Sequence, residues 1–222
     1  MLDVGSGPGY VAAAAAARGA SAVGLDVAHA MVALARTLHP SAEFVHGDAE
    51  HLEFADDSFD AVVANSAVLH LGRPERAAAE FARVLSPGGK VALSTWDVPA
   101  ASRMPGVFYD AVQAVGAVPP PELPTGPPFY RFADEAEFTR LLSAAGFVRG
   151  SVSTVAFTCR YVGDLFDGLV GGTVRTRGLV LAQPEATQAR IRAALDRLSA
   201  EYAAGGGFDL PTSVKLAGAT AK

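Results

Sequence analysis

Leu2-Asp3-Val4-Gly5-Ser6-Gly7-Pro8-Gly9-Tyr10, running into an alanine-rich segment from Val11, decides how the chain is read. A short apolar segment enters a turn with glycine at every second position, and a run of strong helix formers follows. Strand, glycine turn, helix is the expected order. Glycines 5, 7 and 9 remove the Cβ atoms that would hold a ligand off the backbone, and they accept positive φ. The helix start beyond them offers N–H groups with no partner inside the helix. A dinucleotide fingerprint, Gly-x-Gly-x-x-Gly, would put its third glycine at position 10. Tyr10 stands there, and the additional glycine is Gly9. Asp3 is ill suited to a pyrophosphate and well suited to a cationic group.

The 222 residues suit one large α/β domain, or one domain with a cap, and half of them are hydrophobic. A net charge of −5 without a basic run argues against nucleic acid as a partner. The single cysteine, Cys159, excludes an internal disulfide and a multi-cysteine metal site, and it fits a reducing cytoplasm. The apolar run from Val11 to Ala17 is too short to cross a bilayer and has no basic segment before it. No clustered His and Asp set suggests a metal site.

Strand and helix patterns alternate through the first half, which predicts a parallel sheet covered on both faces. Strands are expected at Leu2–Val4, Ala22–Asp26, Glu43–His46, Phe59–Asn65 and Lys90–Thr95. Helices are expected at Val11–Arg18, Ala28–Leu38 and Pro74–Leu85, the last with proline in its first turn. A proline-rich stretch over residues 97–131, including Pro119-Pro120-Pro121 and Pro127-Pro128, is too long for an ordinary connection. A short helix, Gly106–Val115, is expected inside it. Asp134–Ala145 follows as a helix with Asp134 as its N-cap and Gly146 as its stop. Phe147–Thr158 and Ser213–Ala219 read as strands, and two helical pieces lie around Val162–Gly171 and Pro184–Ala204. Ile191, Leu195 and Leu198 fall on one packing face.

Chemistry concentrates behind the strands. Asp26 ends strand two about twenty residues past the glycines, where an acid accepts hydrogen bonds from both hydroxyls of a ribose. A simple helix cap is the alternative role. Asp48, directly after strand three, can accept from an adenine amino group, with the N–H of Ala49 serving a ring nitrogen. Asn65-Ser66-Ala67-Val68-Leu69-His70 lies at the carboxyl end of strand four, where open α/β sheets bind ligands. His70 is a candidate general base, or a ring that shapes the pocket. Trp96, Phe108, Tyr109, Phe129, Tyr130 and Phe132 gather around the proline-rich stretch, as a cap over an apolar acceptor or as ordinary core. Arg103 and Arg131 are candidates to meet an acidic group of that acceptor.

Four ordered motifs carry a resemblance. They are Asp3-Val4-Gly5-Ser6-Gly7-Pro8-Gly9, the acid Asp26, the segment Gly47-Asp48-Ala49-Glu50-His51-Leu52-Glu53-Phe54 with Ser58-Phe59-Asp60, and Arg83-Val84-Leu85-Ser86-Pro87-Gly88-Gly89. Over residues 2–95 the chain resembles class I S-adenosylmethionine-dependent methyltransferases, in their quinone-biosynthesis and natural-product branch. Glu53 departs from that family's usual proline. The resemblance implies a Rossmann-like, doubly wound, mostly parallel seven-stranded sheet with a helical cap insertion. Residues 1–96 would form the nucleotide-binding half, 97–133 the cap, and 134–222 the remaining helices and antiparallel edge strands. It further implies S-adenosylmethionine as cofactor, held by Asp3, Gly5, Ser6, Gly7, Gly9, Asp26, Val27, Met31, Asp48, Ala49, Asn65 and Ser66.

The implied activity is methyl transfer to O, N or C of a small molecule in the cytoplasm, without metal, nucleic acid or membrane. Two alternatives stand beside it: a nicotinamide-dependent oxidoreductase, disfavoured by Tyr10 and Gly47-Asp48-Ala49, and a binding-only protein with a degenerate pocket. Family members carry a few dozen residues ahead of strand one. Their absence before Met1 leads to the expectation of weaker donor binding, a wetter pocket and apolar surface covered by a second copy in a homodimer.

Overall fold

The computed structural model describes residues 1–119 and 127–222. The centre of the proline-rich stretch, including Pro120 and Pro121, lies outside the described residues. The first half runs β1 (Leu2–Val4), α1 (Tyr10–Ala16), β2 (Val23–Asp26), α2 (His29–Leu38), β3 (Glu43–His46) and β4 (Phe59–Ala64). A 3-10 turn, Val68–His70, leads to α3 (Pro74–Val84) and β5 (Leu85–Trp96). The second half holds α4 (Arg103–Val115), α5 (Glu135–Ala144), β6 (Val148–Tyr161), α6 (Leu165–Gly172), α7 (Val174–Leu181), α8 (Glu185–Ser199), β7 (Ala203–Ala204) and β8 (Gly207–Thr220).

The strands lie in the order β3-β2-β1-β4-β5-β8-β6, seven along the path, with the two-residue β7 paired to β8 as an antiparallel hairpin. The first five are parallel, in a register that sets Leu2 against both Val23 and Val62, and Val62 against Val91. This is the mostly parallel sheet expected from the strand and helix alternation, in the Rossmann-like form that the resemblance implies. Strand order reverses between β1 and β4, the switch point at which open α/β sheets form a ligand crevice at the carboxyl ends of their strands.

The chain divides into two units. The first comprises Met1–Thr95, Gly126–Thr154 and Lys215–Lys222; the second comprises Trp96–Thr125 and Val155–Val214. In the first unit, Leu2, Val4, Leu25 and Val62 pack with Phe81 of α3 and Phe138 of α5. Phe44 packs with Ala12 of α1 and with Val32 and Ala35 of α2. Neighbouring residues of β3, Phe44 and Val45, therefore serve different clusters, as in a strand covered on both faces. Asp134 caps α5 as expected, its Oδ1 accepting from the N–H groups of Ala136 (2.8 Å) and Glu137 (3.1 Å). The second unit has its own core, with Val107, Phe108 and Ala111 of α4 against Ile191 and Leu195 of α8, together with Leu165 and Phe166 of α6.

Several boundaries differ from expectation: β8 begins at Gly207, six residues before the expected Ser213, and β6 runs on to Tyr161 rather than stopping at Thr158. β5 begins at Leu85, because Leu85 already pairs with Phe59 before Ser86-Pro87-Gly88-Gly89 bulges out, and pairing resumes at Ala61 and Lys90. The helical piece beyond Val162 is two helices, broken at Thr173, whose hydroxyl accepts the N–H of Thr176 to start α7. α4 begins three residues early, at Arg103.

Candidate functional site

Of the twelve residues expected at a cofactor site, ten fall on the loops and first turns behind β1, β2, β3 and β4, four adjacent strands of the first unit, while Asp3 lies within β1 and Asp26 is the last residue of β2. Gly5, Gly7 and Gly9 all have positive φ. Gly5 is pressed against the loop behind β4, where a Cβ would come within 2.5 Å of the Ala67 Cβ. Gly9 rests on the Phe44 ring, where a Cβ would lie 2.4 Å from Cζ. The turn is thus packed from below and closed on itself by Gly9 N–H donating to the Ser6 carbonyl at 2.9 Å.

The expected helix-start donors are partly spent. α1 is only seven residues long, and its Ala12 N–H donates to Asp3 Oδ2 at 3.0 Å. Asp3 is 1 % exposed, beneath the turn, where it fastens α1 to β1. Burial pushes its carboxyl up to about 6; the Ala12 bond works against the rise, and the nearby Asp26 charge adds to it. A raised folded-state value means that stability from this group is complete below pH ~4 and lost as pH climbs through about 6. Two pH units at about 1.4 kcal/mol each correspond to roughly 3 kcal/mol. Asp3→Asn keeps an acceptor for Ala12 but a weaker one, so we expect a net gain of about 1–2 kcal/mol at pH 8 and almost none at pH 4. Urea unfolding at the two pH values checks this, and an equal difference at both would contradict it.

Asp26, at the end of β2, is 9 % exposed. Its Oδ2 accepts Gly7 N–H and its Oδ1 accepts Ala28 N–H, both at 2.8 Å. One carboxylate therefore sets both the glycine turn and the approach to α2, and each oxygen keeps a lone pair for a further donor. Beside it, Val27 and Met31 are exposed apolar side chains. His29 stacks on His46 at 3.7 Å, and His46 Nε2 lies 3.1 Å from the Val27 carbonyl.

Behind β3, Asp48 is exposed and its Oδ1 accepts Glu50 N–H at 2.8 Å, while Ala49 is buried. The turn is held by residues whose role the motifs did not disclose. Leu52 N–H donates to Glu80 Oε2 at 2.8 Å, and Arg83 donates to the carbonyls of Leu52 and Phe54 at 2.8 Å each. The Arg83 hydrogen bond, opposed by burial, holds the Glu80 carboxyl below the usual range. The Arg83-x-Leu85 motif is therefore more than a lead-in to a turn. Its arginine fastens the loop behind β3 to α3.

Behind β4, Ser66 N–H donates to Ser94 Oγ at 2.9 Å, and that hydroxyl donates to Asn65 Oδ1 at 2.7 Å. His70 is exposed in the 3-10 turn, and its ring meets the Phe129 ring edge-on at 6.2 Å.

The aromatic residues around the proline-rich stretch do not share one surroundings. Phe132 is buried against Phe138 in the first unit, whereas Phe108 belongs to the core of the second. Both arginines proposed for the acceptor are engaged within the protein. Arg103 donates to Asp110 (2.8 Å) and to the Tyr202 hydroxyl (3.1 Å), and Arg131 pairs with Glu75 (2.7 Å) and Glu137 (3.1 Å). Cys159 packs half-buried on the second core, as a small hydrophobe would, and burial pushes its thiol up.

Two features leave room and a polar group at the glycine turn. Ser6 Oγ is buried without a hydrogen-bond partner among the described residues, and a Cβ at Gly7 would project into open space. Among the described residues, no helix is long and apolar enough to cross a membrane.

The fold and this crevice define a Rossmann-like α/β domain. Residues 2–93 match the family model described as a methyltransferase domain, so the resemblance carried by the motifs holds over that part of the chain. The biotin biosynthesis bifunctional protein BioHC of Cellvibrio japonicus is 43% identical over 96 residues, covering 43% of this chain and 19% of that protein. A demethylmenaquinone methyltransferase of Renibacterium salmoninarum is 36% identical over 99 residues, covering 45% of this chain and 42% of its own. The chain thus spans less than half the length of either relative. The solved structure of the YcgJ protein from Bacillus subtilis shares the fold, with a TM-score of 0.61 at 20% identity over 100% of this chain and 91% of that one.

Proposed function

We propose that this chain binds S-adenosylmethionine behind β1–β4 and transfers its methyl group to O, N or C of a small molecule. The observation that carries the reading is the Asp26 carboxylate, which builds the glycine turn through Gly7 while keeping lone pairs for a ribose. When bound, the cofactor supplies a methyl group already activated on a sulfonium. Gly5, Ser6, Gly7 and Gly9 receive the methionine end, with the Ser6 hydroxyl as a preformed donor. Asp3 lends charge from beneath, and Asn65 and Ser66 close the same end. Asp26 holds the ribose hydroxyls. Val27 and Met31 cover the adenine, Asp48 accepts from its amino group, and the N–H of Ala49 serves its ring nitrogen.

His70 stands on the acceptor side. It takes a proton when the nucleophile is a hydroxyl; otherwise its ring only shapes the pocket. Alignment of the nucleophile with the departing sulfur supplies much of the rate. The reaction needs neither metal nor nucleic acid and suits the reducing cytoplasm that one free cysteine indicates.

The expected result with a panel of small phenols, amines and quinols is a product one methyl heavier, formed together with S-adenosylhomocysteine and detected by mass spectrometry. Donor binding without turnover on any acceptor would replace this reading with a binding-only protein.

A further inference from the structure

Glu50 is a buried carboxylate, 8 % exposed, in a turn that needs no buried charge in order to reverse the chain. Its main-chain N–H stays within the turn, whereas its carbonyl and its carboxylate both accept from the loop and first turn that lead into α3. Its N–H donates to Asp48 Oδ1 at 2.8 Å, and its carbonyl accepts from Arg76 Nε at 2.8 Å. Its Oε1 accepts the main-chain N–H of Arg73 and its Oε2 accepts Arg73 Nε, both at 2.7 Å. A Cβ at Gly72 would stand 3.3 Å from Oε1, so the carboxylate is seated against the loop between the 3-10 turn and α3. Burial opposes the charge, but the bonds from Arg73 overcome it and hold the carboxyl below its usual range. A carboxylate left buried without partners is unfavourable, so the bonds from Arg73 keep the two loops joined.

We propose that Glu50 is a positioning residue that ties the turn carrying Asp48 and Ala49 to the loop carrying His70, so that seating a nucleoside at the first sets the second. The inference rests on the functional reading above for the identity of the nucleoside; the strut itself is independent of it. Asp48 is exposed, and its Oδ1 accepts from Glu50. A ligand that fixes Asp48 fixes the Glu50 main chain, and through its carboxylate fixes Arg73, three residues beyond His70. Binding of the donor then pre-forms the acceptor side, which makes donor binding before acceptor binding the favoured order.

Amide hydrogen exchange tests this in two arms on the 222-residue chain. Without ligand, Asp48→Ala should speed exchange at the Arg73 amide about tenfold, as expected for loosening a charge-assisted hydrogen bond. In a Glu50→Gln background it should add almost nothing. No change at Arg73 on Asp48→Ala would overturn the strut. With saturating S-adenosylhomocysteine, the wild type should gain protection over both 47–52 and 68–73, and Glu50→Gln over 47–52 alone. Equal protection of 68–73 in both would overturn the coupling. Arg73→Gln, altering an exposed guanidinium, gives the same comparison if Glu50→Gln folds poorly. Failure of S-adenosylhomocysteine to bind the wild type counts against the functional reading, and the ligand-free arm then decides the strut.

Discussion

Gly5→Ala should cost about 3 kcal/mol of stability and lower turnover about a hundredfold. Two separate penalties make up the stability loss. Gly5 has φ +65°, a conformation that costs an alanine roughly 1–2 kcal/mol. The new Cβ would also meet the Cβ of Ala67 at 2.5 Å, and overpacking of that kind costs about 1–3 kcal/mol. The collision is relieved by parting the glycine turn from the loop behind β4, and a displacement of about 1 Å between reacting groups is enough to lose the stated rate. Gly7→Ala is the control. It also has positive φ, at +51°, but its Cβ meets nothing within 4 Å, so only the conformational penalty applies. Adding Ala67→Gly to Gly5→Ala should recover the packing part, about 1–2 kcal/mol, and leave the rest. Thermal unfolding of the three variants separates the contributions. Equal losses in Gly5→Ala and Gly7→Ala would show that the contact with Ala67 is not tight.

Asp26→Asn should weaken donor binding about a hundredfold. Both carboxylate oxygens already accept from the main chain, Gly7 on one side and Ala28 on the other. An amide offers one acceptor and one donor, so one of those N–H groups would face an N–H of the asparagine. A lost hydrogen bond to a charged group is worth about 1.5–3 kcal/mol, and the displaced Gly7 carries the turn away with it. Asp26→Glu keeps the charge but moves it by one methylene, and should fall between the two. Titration with S-adenosylhomocysteine measures all three. Unchanged affinity in Asp26→Asn would leave Asp26 as a helix and turn brace with no part in binding.

Much of the first unit was legible because its signals are local. Alternating strand and helix patterns located β1 to β4 to within a residue or two, and the glycine spacing marked the turn. Asp134 could be read as a cap because its partners lie two and three positions away. What escaped depends on partners far along the chain. Glu50 reads as a solvated acid in an acidic loop, since Arg73, which gives it a role, is 23 residues on. Phe44 is one apolar residue of a short strand, and its ring is the floor under Gly9 and Gly24, twenty residues and more before it. Asp3 reads as an acid suited to a cationic group, and the sequence does not disclose that it also fastens α1 through the Ala12 N–H, nine residues on. Pro87-Gly88-Gly89 carries turn residues between the expected helix Pro74–Leu85 and strand Lys90–Thr95, although pairing on both sides makes it a bulge within β5.

Calorimetric titration of the wild-type chain with S-adenosylmethionine, S-adenosylhomocysteine and NADH tests the central claim most directly. The account predicts micromolar binding of both sulfur nucleosides at one site per chain, and no heat from NADH. Binding of NADH with silence from the sulfur nucleosides would contradict it, and would give the crevice behind β1–β4 to a nicotinamide cofactor instead.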